Sequence, residues 1–252
     1  MPNLSKVVSF LNDFLKIEDI KDTCWNGLQF EGKSEVNKIV FAVDASVDTF
    51  KLAIQNQADL IVVHHGHFWH TQNPSIVGWA KKRIGILSKN QTSLYACHLP
   101  LDRHRVVGNN AQLLKLIGAR IMNEFSLHEG KNIGWIGTTK RAVPLKQIEG
   151  KLNTDLSTNC IVLPFGKETV KTVAVCSGGG GYGGFYEALN SGVDLYITGD
   201  AIEAYYSAKD SKMNVIFAGH HATETLGLTA LTEVVRRKFR IDCMFIDLPT
   251  GL

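Results

Sequence analysis

The sequence predicts an α/β protein made of two related α/β halves. Three observations predict it. Apolar, β-branched runs alternate with segments of helical period. The order of these segments occurs twice along the chain. Eight of the nine histidines sit in three short loops, each beginning where an apolar run ends, and open α/β sheets carry their ligands there. The 252 residues, 44% hydrophobic and 20% charged, are enough for two halves that each bury a core.

The first element is helical. In MPNLSKVVSFLNDFLKIEDI the apolar residues recur at helical spacing, interrupted by Asp13, Glu18 and Asp19, so the segment reads as an amphipathic helix and not a secretory leader. Then comes NKIVFAVDASVDTFKLAIQNQADLIVVHHG, residues 37–66, a strand, loop, helix and strand in turn. KTVAVCSGGGGYGGFYEALNSGVDLYITGD, residues 171–200, has the same grammar. Asp59-Leu60 corresponds to Asp194-Leu195, and Phe50 and Ala53 correspond to Phe185 and Ala188. Each copy is a β-α-β unit of a parallel sheet.

The correspondence continues past these units. Ser93 to Cys97 and Asn214 to Ala218 each read as a further strand. Each runs into a polar loop, His98 to Asp102 and His220 to Glu224, with a His four residues before a carboxylate. A helix (AQLLKLIGA; LTALTEVVRRKF) and a last strand (RIMNEF; RIDCMFIDL) close each half. The expected halves are residues 1–124 and 125–252, with Asn123 to Lys140 as the crossover.

Composition excludes several classes. A net charge of +3, with scattered basic residues, does not provide a nucleic-acid face. No apolar run approaches the roughly 18–20 residues of a membrane span. The five cysteines are far apart and form no C-x-x-C pair, which points to buried thiols in a reducing cytoplasm rather than disulfides or a zinc knuckle.

The histidines form three groups: His64, His65, His67 and His70; His98 and His104; His220 and His221. Neutral imidazole and carboxylate suit Zn, Fe, Mn, Ni or Co. Asp102 and Glu224 can each bridge two cations, and imidazole nitrogens can complete the coordination while leaving positions for water. Adjacent strand residues point to opposite faces, so His64 and His65 need a break to share a site, and Gly66 can supply it. His67, His70, His104 and His221 are expected to support the site, face a substrate or lie at the surface. Trp69 and Trp79 are expected to pack or to line a rim.

The glycine-rich loop, residues 178–184, lies between a strand and a helix and formally contains G-x-G-x-x-G. Asp200 stands where a dinucleotide fold puts its ribose-binding acid, but a further run of such units is missing and no Gly-Lys-Ser/Thr follows. The loop can hold an anion at a helix start, let a substrate approach closely, or act as a flexible turn.

Asn26-Gly-Leu-Gln29, Ile61-Val-Val-His-His-Gly66, His98-Leu-Pro-Leu-Asp102, Gly108-Asn-Asn110 and Gly219-His-His-Ala-Thr-Glu224 together resemble the GTP cyclohydrolase 1 type 2 homolog family, also called NIF-three-like. The resemblance runs from the first helix to Phe245-Ile-Asp-Leu-Pro249. It implies two α/β halves with central sheets facing a shared dinuclear metal cleft, about two divalent transition-metal ions per chain, and the ligands His64, His65, Asp102, His220 and Glu224. It also implies a homohexameric ring. The family name offers GTP as a small-molecule substrate, its imidazole ring opened by metal-activated water. His98 matches His220 in the repeat yet lies outside the implied ligand set, so it is the candidate for proton transfer or substrate orientation. The rival reading is a non-catalytic metal-binding assembly protein with a regulatory or chaperone-like role.

Overall fold

The computed structural model describes residues 2–252, and the chain packs as two units. The first comprises the chain up to Leu101 together with Leu228–Leu248; the second comprises Asp102–Gly227 and Pro249–Leu252.

The first unit opens with α1 (Leu4–Leu15). Asn3 caps it by accepting from the Ser5 amide at 2.9 Å, and Leu4, Val7, Leu11 and Leu15 form its buried face. Next in the chain come β1 (Gly27–Phe30), β2 (Lys38–Asp44), α2 (Val47–Gln55), β3 (Leu60–His65), α3 (Gly78–Asn90) and β4 (Ser93–Ala96). The sheet order is β1-β4-β3-β2-β11, where β11 is Asp242–Phe245. All neighbours are parallel except β1, which runs antiparallel to β4 at the edge. Val40, Ile61, Val63, Leu94 and Ala96 pack against Phe50 and Ala53 of α2 and Leu87 of α3.

After the short α4 (Leu99–Arg103), the second unit contains α5 (Asn109–Leu116), β5 (Ala119–His128), β6 (Lys131–Pro144), α6 (Leu145–Asp155), β7 (Ile161–Pro164), β8 (Thr169–Cys176), α7 (Gly181–Asn190), β9 (Leu195–Thr198), α8 (Tyr205–Asp210) and β10 (Asn214–Phe217). Its six strands run in the order β5-β6-β8-β9-β10-β7. The parallel trio β8-β9-β10 is buried on both faces, as parallel sheets require. Val173, Val175, Leu195, Ile197 and Ile216 pack toward α5 and α6, while Ala174, Cys176, Tyr196, Val215 and Phe217 pack toward α7 and α8.

The mixed α/β class and the two-sheet repeat match the sequence reading: β2-α2-β3 answers β8-α7-β9, and β4 answers β10. The paired Asp-Leu steps have a shared structural cause. Asp59 accepts from the amides of Asn37 (2.6 Å) and Lys38 (3.2 Å) at the start of β2. Asp194 accepts from the amides of Lys171 and Thr172, both at 3.0 Å, just before the parallel register of β8 with β9 begins at Val173. Each carboxylate ties the beginning of one parallel strand to its neighbour. Burial alone would raise the Asp194 carboxyl, but Lys167 and the Thr172 and Lys171 amides hold it down at about 2.

The last strand of each repeat pairs in the other unit's sheet, β5 with β6 and β11 with β2. Two expectations change. The expected crossover 123–140 is instead the β5–β6 hairpin, closed by Glu129 (φ 44°) and Gly130 (φ 85°), a pair suited to a tight two-residue turn. His220 to Glu224, expected in a loop, form the first turn of α9 (His220–Phe239), which starts directly after Gly219 at φ 88°. No helix among the described residues is long and apolar enough to cross a membrane.

Candidate metal centre

In the first unit, β3 ends on His64 and His65, and β4 leads to His98. Their rings cluster: the centroids of His64 and His65 are 4.8 Å apart, those of His64 and His98 5.0 Å, and those of His65 and His98 5.6 Å. Each offers one ring nitrogen, and these nitrogens lie within 4.8 Å of one another.

Each ring is braced through Nδ1. His64, which is fully buried, donates to the Cys97 carbonyl at 2.9 Å. His65 donates to Asp44 Oδ1 at 2.8 Å, and His98 to Asp22 at 2.9 and 3.1 Å. An acceptor at Nδ1 places the proton there and makes Nε2 the lone-pair nitrogen. Asp22 is itself held by the amides of Cys24 (3.0 Å) and Leu99 (3.0 Å) and by Asn26 Nδ2 (2.9 Å). Burial would raise the Asp22 carboxyl, but the hydrogen bond and charge of His98, aided by Asn26 and the Cys24 amide, bring it down to about 2.

In the second unit, His220 and Glu224 stand four residues apart on one face of α9, with His220 Nε2 3.2 Å from Glu224 Oε1. His220 Nδ1 donates to Asp200 at 2.9 Å. Carboxylates against both ring nitrogens favour imidazolium. The Glu224 hydrogen bond is the largest cause; burial opposes it, and the negative charges of Glu224 and Asp200 add to it, leaving His220 at about 9. Asp102 is buried and accepts at Oδ1 from Asn109 Nδ2 (2.8 Å) and Ser177 Oγ (2.9 Å). Asn109 Oδ1 accepts from the Gly227 amide (2.7 Å), and Asn110 Oδ1 accepts from the Ser177 amide (2.6 Å). The Gly108-Asn-Asn110 motif therefore aims Asp102 and fixes the loop beside it.

The glycine-rich loop serves this geometry. Gly178 sits at φ 58°, and a Cβ there would meet Glu224 Oε1 and lie 3.0 Å from His220 Nε2. The Gly178 amide donates to Thr223 Oγ1 at 2.9 Å, and its carbonyl accepts from the Gly199 and Asp200 amides, both at 2.9 Å. The missing side chain is what lets the loop lie against the His220–Glu224 pair. Asp200, the ribose-binding candidate of a dinucleotide reading, is committed to His220.

Both donor sets fit a borderline transition metal: imidazoles held in one tautomer by outer partners in the first unit, and an imidazole with the buried Glu224 carboxylate in the second. Of the residues expected to carry chemistry, His64, His65 and His98 come together in the first unit, and His220 and Glu224 in the second. The bracing residues Asp22 and Asp44 went unnoticed in the sequence. The available signal for Asp44 was its position at the end of β2, next to His65 on β3. His104 Nδ1 accepts from the Val106 (3.2 Å) and Val107 (3.1 Å) amides and shapes a turn. His221 is buried, and its amide donates to the Leu252 carbonyl at 3.2 Å.

Residues 2–250 match the family model Duf34/NIF3 (NGG1p interacting factor 3). A protein of Archaeoglobus fulgidus named "GTP cyclohydrolase 1 type 2 homolog" is 46% identical over 99% of this chain and 100% of its own length. A Pyrococcus horikoshii protein of the same name is 45% identical over 98% of each chain. Among solved structures, the protein ybgI, described as of unknown function, superposes with a TM-score of 0.92 at 36% identity over the whole of both chains. Reduced HcgD from Methanocaldococcus jannaschii shares the fold with a TM-score of 0.83 at 23% identity, covering 98% of each chain.

Proposed function

Since the chain belongs to the Duf34/NIF3 family, we propose that it is a metal-dependent hydrolase of the cytoplasm acting on a nucleotide such as GTP. The ligands are His64, His65, Asp102, His220 and Glu224, holding about two divalent ions of the Zn, Fe, Mn, Ni or Co type. The observation that carries this reading is the bracing of the implied ligands. His65 and His220 each donate Nδ1–H to a carboxylate, and His64 to a carbonyl, the outer arrangement expected of metal-binding imidazoles.

Bound there, such ions supply Lewis acidity and a water that loses its proton near neutral pH. The protein's own residues do the rest. Asp22 holds the His98 proton on Nδ1 and leaves Nε2 to accept one, so His98 is the residue that moves a proton or orients the substrate. Ser177 and Asn109 hold Asp102 Oδ1, and the Gly178 backbone leaves room for the carboxylate of Glu224. The relatives' name supports GTP as the first substrate to try. The protein acts as a closed homo-oligomer, a hexamer.

The test is metal analysis of protein purified without chelator or affinity metal, joined to a hydrolysis screen across nucleotides and phosphoesters with Asp102→Ala beside it. About two ions per chain and turnover lost in Asp102→Ala are expected. Near-zero metal with no uptake on reconstitution overturns the centre. Full metal with no turnover on any substrate favours the non-catalytic assembly role. Light scattering checks the oligomer, and a mass near the 27.8 kDa of one chain contradicts it.

A further inference from the structure

The first unit contains a cavity of about 770 Å³ lined by Trp25, His67, Phe68, Trp69, His70 and Trp79. Its volume lies in the range of small-molecule sites. Two of its aromatic walls remain open to solvent: Trp25 is 54% exposed and Trp79 59%. Indoles left uncovered beside a concavity offer flat apolar faces to a flat partner. The Arg83 guanidinium already lies over the Trp79 ring, 4.8 Å from its centroid.

A second, independent observation comes from His67. It is only 4% exposed, lines this cavity, and its buried Nδ1 has no hydrogen-bond partner. Buried polar nitrogens are normally satisfied, so the cavity wall holds a hydrogen-bonding atom that the protein itself leaves unused. The His67 ring stands edge-on to Trp79, centroids 5.5 Å apart and planes at 76°.

The cavity wall is built in advance. Gln29 Oε1 accepts from the amides of His67 (2.7 Å) and Phe68 (3.2 Å). Gln29 Nε2 donates to the carbonyls of Trp25 (2.7 Å) and Phe68 (3.2 Å). Gly66 lets this amide sit close, since a Cβ there would stand 2.7 Å from Gln29 Oε1 and from Ala96 Cβ. These contacts explain the glutamine of the Asn26-Gly-Leu-Gln29 motif. Trp69 is the wall shared with the imidazole group: its ring lies 5.1 Å from that of His98 and 6.2 Å from that of His65.

We infer that this cavity is a binding subsite for a planar nitrogen heterocycle of the nucleobase type, stacked on the exposed indoles of Trp25 and Trp79 and read at its edge by His67. The subsite rests on the hydrolase reading for its purpose, since it holds a ring one indole away from the imidazoles that the reading employs. Stacking accepts any flat base. The His67 hydrogen bond is what separates bases by the polar atoms along their edge.

The test is equilibrium binding to the whole 252-residue chain loaded with metal, followed by tryptophan fluorescence and calorimetry. The probes are guanosine, adenosine and cytidine, with ribose as the control that has no base. A nucleoside is expected to bind and quench fluorescence where ribose does neither. Trp79→Ala, at an exposed position that folding tolerates, weakens nucleoside affinity by about 5- to 100-fold with metal content unchanged. His67→Phe keeps the ring and narrows the preference among the three bases. The inference is overturned if no nucleoside binds better than ribose, or if Trp79→Ala leaves affinity unchanged. It is also overturned if Trp79→Ala dissociates an oligomer without touching nucleoside affinity, which would assign the indoles to a second copy of the chain. Metal uptake without nucleoside binding defeats the subsite alone. Nucleoside binding by a protein that takes up no metal defeats the hydrolase reading and leaves the subsite standing.

Discussion

The two donor groups both sit at strand ends of the repeat, with His98 matching His220, and have diverged in chemistry. The first unit presents three imidazoles, each braced at Nδ1, and its carboxylates Asp22 and Asp44 are used up as braces. The second presents a single braced imidazole, His220, beside the buried Glu224 carboxylate, with a glycine loop pressed against the pair. The same β-α-β scaffold thus yields a nitrogen-rich group and an oxygen-rich group. The lesson is that the repeat preserves where chemistry sits, at the ends of parallel strands, while the ligand atoms themselves vary. The oxygen-rich group is the one able to share a ligand between two cations.

That contrast can be broken most sharply at Glu224. If the buried carboxylate governs both ions, Glu224→Gln lowers bound metal from about two per chain to near zero, read by elemental analysis. Retention of about one ion would mean that the imidazole group holds a cation by itself. The next effect is at His98. His98→Ala is expected to keep its metal and lose turnover by about 10²–10⁴-fold. Metal loss as complete as in Glu224→Gln would instead make His98 a ligand, and the imidazole group a full triad.

Smaller effects belong to the braces. Asp44→Ala and Asp200→Ala, one in each unit, should each weaken metal affinity by about 10- to 100-fold, measured by competition with a chelator. A loss confined to one of them would show which group dominates the binding. The smallest effect is structural. The Asp194 carboxyl is lowered in the fold to about 2 from an ordinary 3.8. A depressed carboxyl contributes stability that is complete above the unfolded value and disappears as pH falls through the folded one. Asp194→Asn should therefore cost about 2 kcal/mol at neutral pH and flatten the loss of stability between about pH 4 and pH 2, with metal content unchanged. Urea unfolding at a series of pH values reads this directly.

Much of this could be read from the chain because it is local. His64-His65 and the two His-x-x-x-acid pairs announce themselves by spacing, and β2-α2-β3 and β8-α7-β9 by periodicity. The braces could not, since they reach their histidines across the fold. Asp44 is 21 residues from His65, Asp22 is 76 from His98, and Asp200 is 20 from His220. Asp200 was noticed for the wrong partner, because a carboxylate after a strand suits a ribose as well as an imidazole. The helical state of His220 to Glu224 was hidden by Gly219 and the paired histidines, which look like a loop until α9 is seen to start on them. The destination of β5 and β11 was not legible at all, because no periodicity within a strand names its neighbour.

The exchange of those last strands sets the order in which the protein can be completed. As the chain leaves the ribosome, β2 emerges early, yet its outer edge stays open until Asp242–Phe245 has been made. The second unit, nearly all of it encoded between Asp102 and Gly227, can close while the first is still waiting. Synthesis and completion therefore run in opposite directions: the part translated first is finished last. A stop codon after Gly227 would spare most of the second sheet and injure the N-terminal one, leaving the apolar run Lys38–Asp44 as an unpaired edge open to other chains.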